Sequence, residues 1–372
     1  MKIAIFHDYF GAIGGGEKVV IEMAKTLDAD IITTDTEAVT KIDTGVRVIS
    51  LGRTIQVPGL KQVSAAIKFY FCNFSGKYDL FIFSGNWAHY AAHRHHPNLW
   101  YCHTPVRVFY DNYEHFLNSL SFPKRLLFRF YARIFRVADR RSVSHIDHII
   151  ANSETVRMRI RQYLHRESDV IYPPVNTSKF FCSEYGDFWL AVNRLYPEKQ
   201  IELQIESFRT MPDQRLVIIG GFAFGDHAAA YAKKIQTALP PNIVFLGEIP
   251  DADLYDLFAR CRGLICTAKD EDFGLTPVEA MAGGKPVVAV ASGGFMETVT
   301  SQTGILVDPD IPSIVSAVRR ISEDPGQYHD ACISRAHEFD SSVFTKKIRE
   351  KINNVYKKNY PNPQQTGTDF PF

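Results

Sequence analysis

The chain has 372 residues, 45% of them apolar and 22% charged, with a formal net charge of +1. That length is too great for one ordinary domain and suits two, each able to bury its own core without disulfides or metals. The near-neutral balance excludes a global electrostatic case for nucleic acid as the main partner.

Two series of short apolar runs alternate with helix-length amphipathic segments. The first comprises Ile3–Phe6, Ile31–Thr33, Val46–Ile49, Leu80–Phe83, Leu99–Cys102 and His148–Ala151. The second comprises Phe188–Val192, Leu216–Ile219, Val244–Leu246, Leu264–Thr267, Val287–Ala291 and Gly304–Val307. Runs this short, continuous and β-branched suit parallel strands buried on both faces. Their alternation with helices predicts an α/β protein of two Rossmann-like, doubly wound parallel-sheet domains facing across a cleft. The expected domains are 1–172 and 173–340, with the seam at Tyr172-Pro173-Pro174, where a double proline can continue neither helix nor ladder. A helix over Phe344–Tyr356, opened by Ser341 or Ser342, ends the regular structure. As part of a 341–358 segment it is expected to pack back on the first domain, leaving 359–372 as a flexible tail.

Met1–Asp8 reads as a short strand running into a polar loop, not as a leader with an apolar stretch. No apolar run reaches the ~18 residues of a membrane span. Cys72, Cys102, Cys182, Cys261, Cys266 and Cys332 form no CxxC pair. They are expected to be free, mostly buried thiols of a reducing compartment, so the expected location is cytoplasmic, at most peripheral to a membrane.

After the first strand, Gly11-Ala12-Ile13-Gly14-Gly15-Gly16-Glu17 opens a helix with Val19, Val20, Met23 and Leu27 on its apolar face. Glycines there let backbone amides approach an anion at a helix N-terminus. The spacing is not GxGxxG, and tight packing alone would produce the same turn. His89, His93, His95 and His96 cluster without a carboxylate or cysteine at ligand spacing, so no metal site is expected. Trp100-Tyr101-Cys102-His103-Thr104-Pro105 ends a buried strand on a histidine, which on its own would be a structural hydrogen-bonding residue.

Phe122–Arg141 carries seven Lys/Arg from Lys124 to Arg141, opposed only by Asp139. Leu126, Phe130, Ile134 and Val137 share one helical stripe, and Arg129, Arg133, Arg136 and Arg140 the next. Two layouts fit: an interfacial helix on anionic lipid, or a helix that packs its stripe on the core and solvates its basic face.

In the second half, the strand Phe188–Val192 runs into Asn193-Arg194-Leu195-Tyr196-Pro197-Glu198-Lys199. Ligands bind at carboxyl ends of strands in such sheets, and Arg194 with Lys199, placed in the first turn of the next helix, suits a diphosphate. A solvated surface pair fits as well. Further on stands Asp270-Glu271-Asp272-Phe273-Gly274-Leu275-Thr276-Pro277-Val278-Glu279. Thr276, Pro277 and Glu279 read as N-cap, N1 and N3 of a capping box. Glu271 and Glu279 can accept sugar hydroxyls, and the amides from Gly274 to Thr276 can meet a phosphate.

Glu271, seven residues, then Glu279 resembles the EX7E motif of retaining glycosyltransferases of GT-B architecture, family 4 in particular. The glycine turn, Arg194 with Lys199, Gly220-Gly221, Phe245-Leu246-Gly247, Ser292-Gly293-Gly294 with Glu297, and Thr303–Val307 follow that family's order. The resemblance implies a nucleotide-sugar donor and no metal, Asp270-Glu271-Asp272 notwithstanding. Arg194 and Lys199 would hold the diphosphate, Glu271 the transferred sugar, Glu279 the ribose, and Gly15 and Gly16 the phosphate or sugar. Phe273, Gly274, Leu275 and Thr276 complete the expected donor set. His103 would lie at the reacting centre, with Glu17, Arg107 and Asp111 on the acceptor side. The string from Tyr101 to Pro105 with Arg107 and Tyr110-Asp111 is similar to O-antigen-type mannosyltransferases, which implies GDP-mannose and a lipid-linked or glycan acceptor. A Val106, Val108-Phe109 departure from that subgroup's pattern leaves UDP- or dTDP-sugars open. A nucleotide-sugar epimerase or hydrolase remains a rival. An NAD(P) oxidoreductase is disfavoured by the missing GxGxxG and by the basic pair.

Overall fold

The computed structural model describes the chain except residues 11–13, 38, 40–43, 58, 222–227, 237–238 and 360–372. Gly11, Ala12 and Ile13 of the glycine turn, and all but the first residue of the expected tail, lie outside the described residues. The chain forms two compact units, Met1–Tyr172 with the C-terminal helix from Phe344, and Pro173–Val343.

In the first unit the apolar runs become β1 (Ile3–Tyr9), β2 (Asp30–Thr34), β3 (Val48–Ser50), β4 (Leu80–Ser84), β5 (Asn98–Cys102) and β6 (His148–Ala151), followed by β7 (Asp169–Val170). They form one sheet in the order β3-β2-β1-β4-β5-β6-β7. Every pairing is parallel. Each apolar run predicted here is a strand; β7 escaped notice because its two residues carry no hydrophobic pattern. The helices are α1 (Gly15–Leu27), α2 (Leu60–Phe71), α3 (Tyr113–Ser119), α4 (Phe122–Val143) and α5 (Glu154–Arg159).

Both sheet faces are covered, which is why the strands read as continuous rather than alternating apolar runs. On one face Phe6, Phe81 and Phe83 meet Phe69 of α2 and Phe128 and Ala132 of α4. On the other, Ile5, Ile31 and Ile82 meet Val20 and Met23 of α1. The last helix packs on that second face through Phe344, Ile348 and Ile352.

The second unit repeats the plan with β8 (Phe188–Val192), β9 (Arg215–Ile219), β10 (Ile243–Gly247), β11 (Gly263–Cys266), β12 (Val287–Val290) and β13 (Gly304–Val307). Their order is β10-β9-β8-β11-β12-β13, again all parallel. Its helices are α6 (Ile201–Arg209), α7 (Ala228–Gln236), α8 (Asp251–Arg260), α9 (Leu275–Ala282), α10 (Phe295–Thr298), α11 (Ile311–Glu323) and α12 (His329–His337); α13 (Ser341–Asn359) follows. In each sheet the strand order reverses once, between β1 and β4 and between β8 and β11. Those are the places where a doubly wound sheet opens a binding crevice at its carboxyl edge.

One local expectation is corrected, and one choice that the sequence left open is decided. Neither Ser341 nor Ser342 caps α13. The Asp340 carboxylate does, accepting the Ser342 amide at 2.9 Å and the Ser342 hydroxyl at 2.6 Å. The stripe Leu126, Phe130, Ile134, Val137 is not a core face, because all four side chains are exposed. What α4 buries is the opposite side, with Phe128, Ala132 and Val143. Among the described residues no helix is long and apolar enough to cross a membrane.

Candidate active site

Lys199 and Glu271 meet at the switch point of the second sheet. Lys199 ends a 3-10 turn (Pro197–Lys199) on the loop that leaves β8, two residues ahead of α6 rather than inside its first turn. Gln200 takes a left-handed conformation, φ +50°, and breaks the two elements apart. Glu271 lies on the loop that leaves β11, and its Oε2 is 2.6 Å from Lys199 Nζ. Burial works to lower the Lys199 pKa, but the Glu271 carboxylate outweighs it, helped by Asp272 and Glu198, and the ammonium is held above its ordinary value. Lys199 is therefore a permanent cation. The two loops are also tied through the main chain: Lys269 N donates to Glu198 O at 2.8 Å. Buried Thr267, held by Gln204 Nε2 at 2.9 Å, donates to Lys199 O at 2.8 Å. Arg194 is exposed two residues beyond β8, in a turn closed by Tyr196 N to Arg194 O at 2.9 Å.

Close backbone packing holds the carboxylate loop. Gly294 N donates to Glu271 O at 2.7 Å. A Cβ on Gly293, which has φ +57°, would fall 2.3 Å from that same oxygen, and one on Gly294 would fall 2.4 Å from Phe273 Cα. Only glycines can stand there. Ser292 Oγ accepts the Asp270 amide and donates to Asp270 Oδ1, both at 2.9 Å. Phe273 is buried with its ring edge-on to Phe339 at 5.4 Å, so its main chain is what it can offer a ligand.

The capping box expected at Thr276 is not formed. Gly274, at φ +87°, turns the chain so that α9 opens on Leu275; Thr276 and Pro277 then fall at its second and third positions. Proline is harmless there because first-turn amides have no intrahelical acceptor. Glu279 moves to the second turn, half-buried on α9. Leu275 and Thr276 present the first amides of the helix, at its positive end.

In the first unit His103 follows β5 and bonds Ser84, the last residue of β4, with 2.9 Å between Nε2 and Oγ. Burial, then the neighbouring His7, push its pKa down to about 4 against the pull of Glu17, so the ring is neutral near pH 7. Gly16 stands beside it, an added Cβ making only ordinary 3.9 Å contact with the ring. The protein's own packing thus does not demand glycine there; a ligand needing that space would. Gly15 opens α1, and Glu17 in its first turn caps it, accepting the Gly14 amide at 2.8 Å while its other oxygen lies 3.9 Å from His7. Glu17 therefore has a capping role that sequence reading did not give it.

Asp8, at the end of β1, was missed. Its buried carboxylate accepts the amides of Asn86, Trp87 and Ala88 at 2.6–2.8 Å and so fixes the loop leaving β4. Gly85, at φ +96°, makes room, since a Cβ would sit 2.4 Å from Asp8 Cγ. A charged residue ending an apolar first strand was the signal available.

Arg107 and Asp111 pair with each other at 2.8 Å. Arg159 joins them 3.6 Å from Asp111 and donates to Thr104 at 3.1 Å. The four histidines are engaged one by one. His89 meets Ser142 at 2.8 Å and Asp139 at 3.2 Å; His96 meets Asp147 at 3.0 Å. His95 takes the Phe74 amide at 2.9 Å, and His93 stacks on Tyr70. Their carboxylates come from far along the chain, which spacing could not reveal. Among the described residues no three such ligands gather for a metal.

Known proteins match both units of the chain. The family described as Glycosyltransferase Family 4 matches residues 13–179, and that described as Glycosyl transferases group 1 matches residues 183–339. The α-1,3/1,6-mannosyltransferase ALG2 of Dictyostelium discoideum is 25% identical, the match covering 78% of each chain. The O-antigen chain mannosyltransferase RfbU of Salmonella typhimurium is 29% identical over 55% of this chain and 57% of its own. Among solved structures, Anabaena HepE in complex with UDP and glucose shares the fold at a TM-score of 0.73 and 22% identity, covering 94% of this chain and 99% of HepE. Sucrose-phosphate synthase of Thermosynechococcus elongatus does so at 0.78 and 19%, covering 96% and 99%. With family matches spanning nearly all of both units, the chain belongs to glycosyltransferase family 4, of GT-B architecture.

Proposed function

We propose that this glycosyltransferase moves mannose from GDP-mannose to a lipid-linked or glycan acceptor, keeping the anomeric configuration and using no metal. The observation that carries the reading is the Lys199–Glu271 pair at the β8/β11 switch point. A cation and a sugar-hydroxyl acceptor side by side are what a sugar diphosphate requires. The mannosyltransferase names of the ALG2 and RfbU relatives support the choice of sugar.

Lys199 and Arg194 bind the diphosphate and stabilise the charge that builds on it as the glycosidic bond breaks. The first amides of α9 add a fixed positive end. Because these groups match the leaving group better than the intact donor, they lower the barrier rather than merely tightening binding. Glu271 takes the hydroxyls of the sugar, Glu279 those of the ribose. An ion-paired Glu271 is a poor nucleophile, so the departing phosphate accepts the acceptor's proton on the face it leaves. Neutral His103, fixed by Ser84, hydrogen-bonds the sugar without adding charge. With Lys199 and Arg194 supplying positive charge, a divalent ion has no task left. The setting we propose is the cytoplasm or the inner face of a membrane.

The test is turnover of GDP-mannose with a polyprenyl-diphosphate glycan acceptor in EDTA, the product's anomeric configuration being read by proton NMR. Retained configuration is expected. Inversion would refute the mechanism, turnover only with UDP- or dTDP-sugars would move the donor, and GDP release without acceptor would favour a hydrolase.

A further inference from the structure

Helix α4 is amphipathic twice over. Its inward side is buried, and its outward side carries Leu126 (53% exposed), Phe130 (66%), Ile134 (50%) and Val137 (67%). Large apolar side chains aligned along the solvent side of a 22-residue helix are not scattered surface residues. The surface continues onto α2, where Ile67 (52%) and Phe71 (67%) are exposed. Between the two helices runs an apolar groove of about 740 Å³, lined by Val63, Ile67, Tyr70, Ile134, Phe135 and Ala138.

The exposed charge on these two helices has one sign. Lys124, Arg129, Arg133, Arg140 and Arg141 are exposed on α4, and the helix's sole acid, Asp139, is buried against Tyr110 Oη at 2.6 Å. Helix α2 carries no acid. Arg136 is the exception among the predicted basic stripe: it turns in, bonds Phe109 O at 2.5 Å and stacks on Tyr113 at 4.3 Å. A second copy docking here face to face would set arginine against arginine. Anionic headgroups over hydrocarbon satisfy both features at once.

We propose that the α2–α4 face seats this protein on an anionic lipid bilayer, α4 lying in the plane of the interface with its outward stripe inserted. Arg136 to Phe109 O and Tyr110 to Asp139 bolt that helix to the His103–Asp111 segment. Docking thus presents the segment carrying Arg107 and Asp111 to a lipid-borne substrate. The inference is independent of the donor assignment.

Co-sedimentation with vesicles tests it, using phosphatidylcholine alone and phosphatidylcholine with phosphatidylglycerol. The protein binds the anionic vesicles, and added salt releases it. R129A/R133A lowers partitioning by about 30-fold, at about fivefold per arginine, and L126S/F130S/V137S abolishes it. All five side chains are exposed, so melting curves stay unchanged, as does nucleotide binding measured without vesicles. Failure of the wild-type chain to bind anionic vesicles would overturn the proposal. So would undiminished binding by the serine variant, or a wild-type dimer in solution that the serine variant dissociates.

Discussion

Lys199 Nζ stands 2.6 Å from Glu271 Oε2, and the pair bridges the loops that leave two adjacent strands, β8 and β11, where the second sheet reverses its order. The residues lie 72 positions apart in sequence, so the fold, not the local chain, creates this juxtaposition. Losing Lys199 should remove a charge aimed at the leaving diphosphate. K199A is expected to lower kcat by ~10²–10³. The K199A/E271Q double variant should lose less than the product of the single losses, because each single change strips a partner from the same pair. Additive losses in a steady-state cycle would show that the two act separately.

Gly293 and Gly294 let the Glu271 loop lie against the segment after β12. G293A forces a Cβ to within 2.3 Å of Glu271 O at a left-handed backbone position. A destabilisation of about 1–3 kcal/mol is expected, with activity falling further than stability explains. Urea unfolding beside kcat measurement separates the two. An unchanged midpoint would mean that the loop yields without cost.

His103, with its pKa at about 4, is neutral throughout the usual assay range. Activity should therefore show no ionisation from this ring between pH 5 and 8, and NMR titration of His103 should have its midpoint near 4. Since the folded pKa lies below the ordinary histidine value near 6.5, the unfolded chain binds the proton more readily between the two. Stability from this group is lost as pH falls through that window. H103Q should flatten that limb of the stability curve. S84A should free the ring, raising KM or lowering kcat several-fold without shifting the melting temperature by more than a hydrogen bond allows.

Asp340 offers a contrasting sign. Burial pushes its carboxyl upward, but hydrogen bonds from Ser342 and Thr177 prevail and bring it to about 2. Its stabilising contribution is complete above the ordinary carboxylate value near 3.8 and disappears as pH drops through about 2. D340A should cost ~1 kcal/mol at pH 7 by removing the cap of α13. The difference from wild type should close in acid. A gap unchanged at pH 2 would contradict this.

Twelve strands were legible because buried parallel strands leave uninterrupted apolar runs. The candidate site was legible in placement where residues sit just beyond a strand's carboxyl end, as with His103, Arg194 and Lys199. What escaped depends on conformation rather than residue type. Gly274's left-handed turn shifted the start of α9 and took Glu279 out of the first turn. Asp8 and Thr267 act through backbone groups brought near only by the sheet. The outward direction of Leu126, Phe130 and Val137 was also hidden, since a stripe has the same periodicity whether it faces core or solvent.

The most direct measurement is thermal stability against GDP, UDP, ADP and dTDP in EDTA, for wild type and for R194A and K199A. A ligand at 100 times its Kd adds ~2.7 kcal/mol to the folded state. A selective rise with GDP that both variants lose is the expected result. A rise with GDP that survives both substitutions, or no rise with any nucleotide from folded protein, would contradict it.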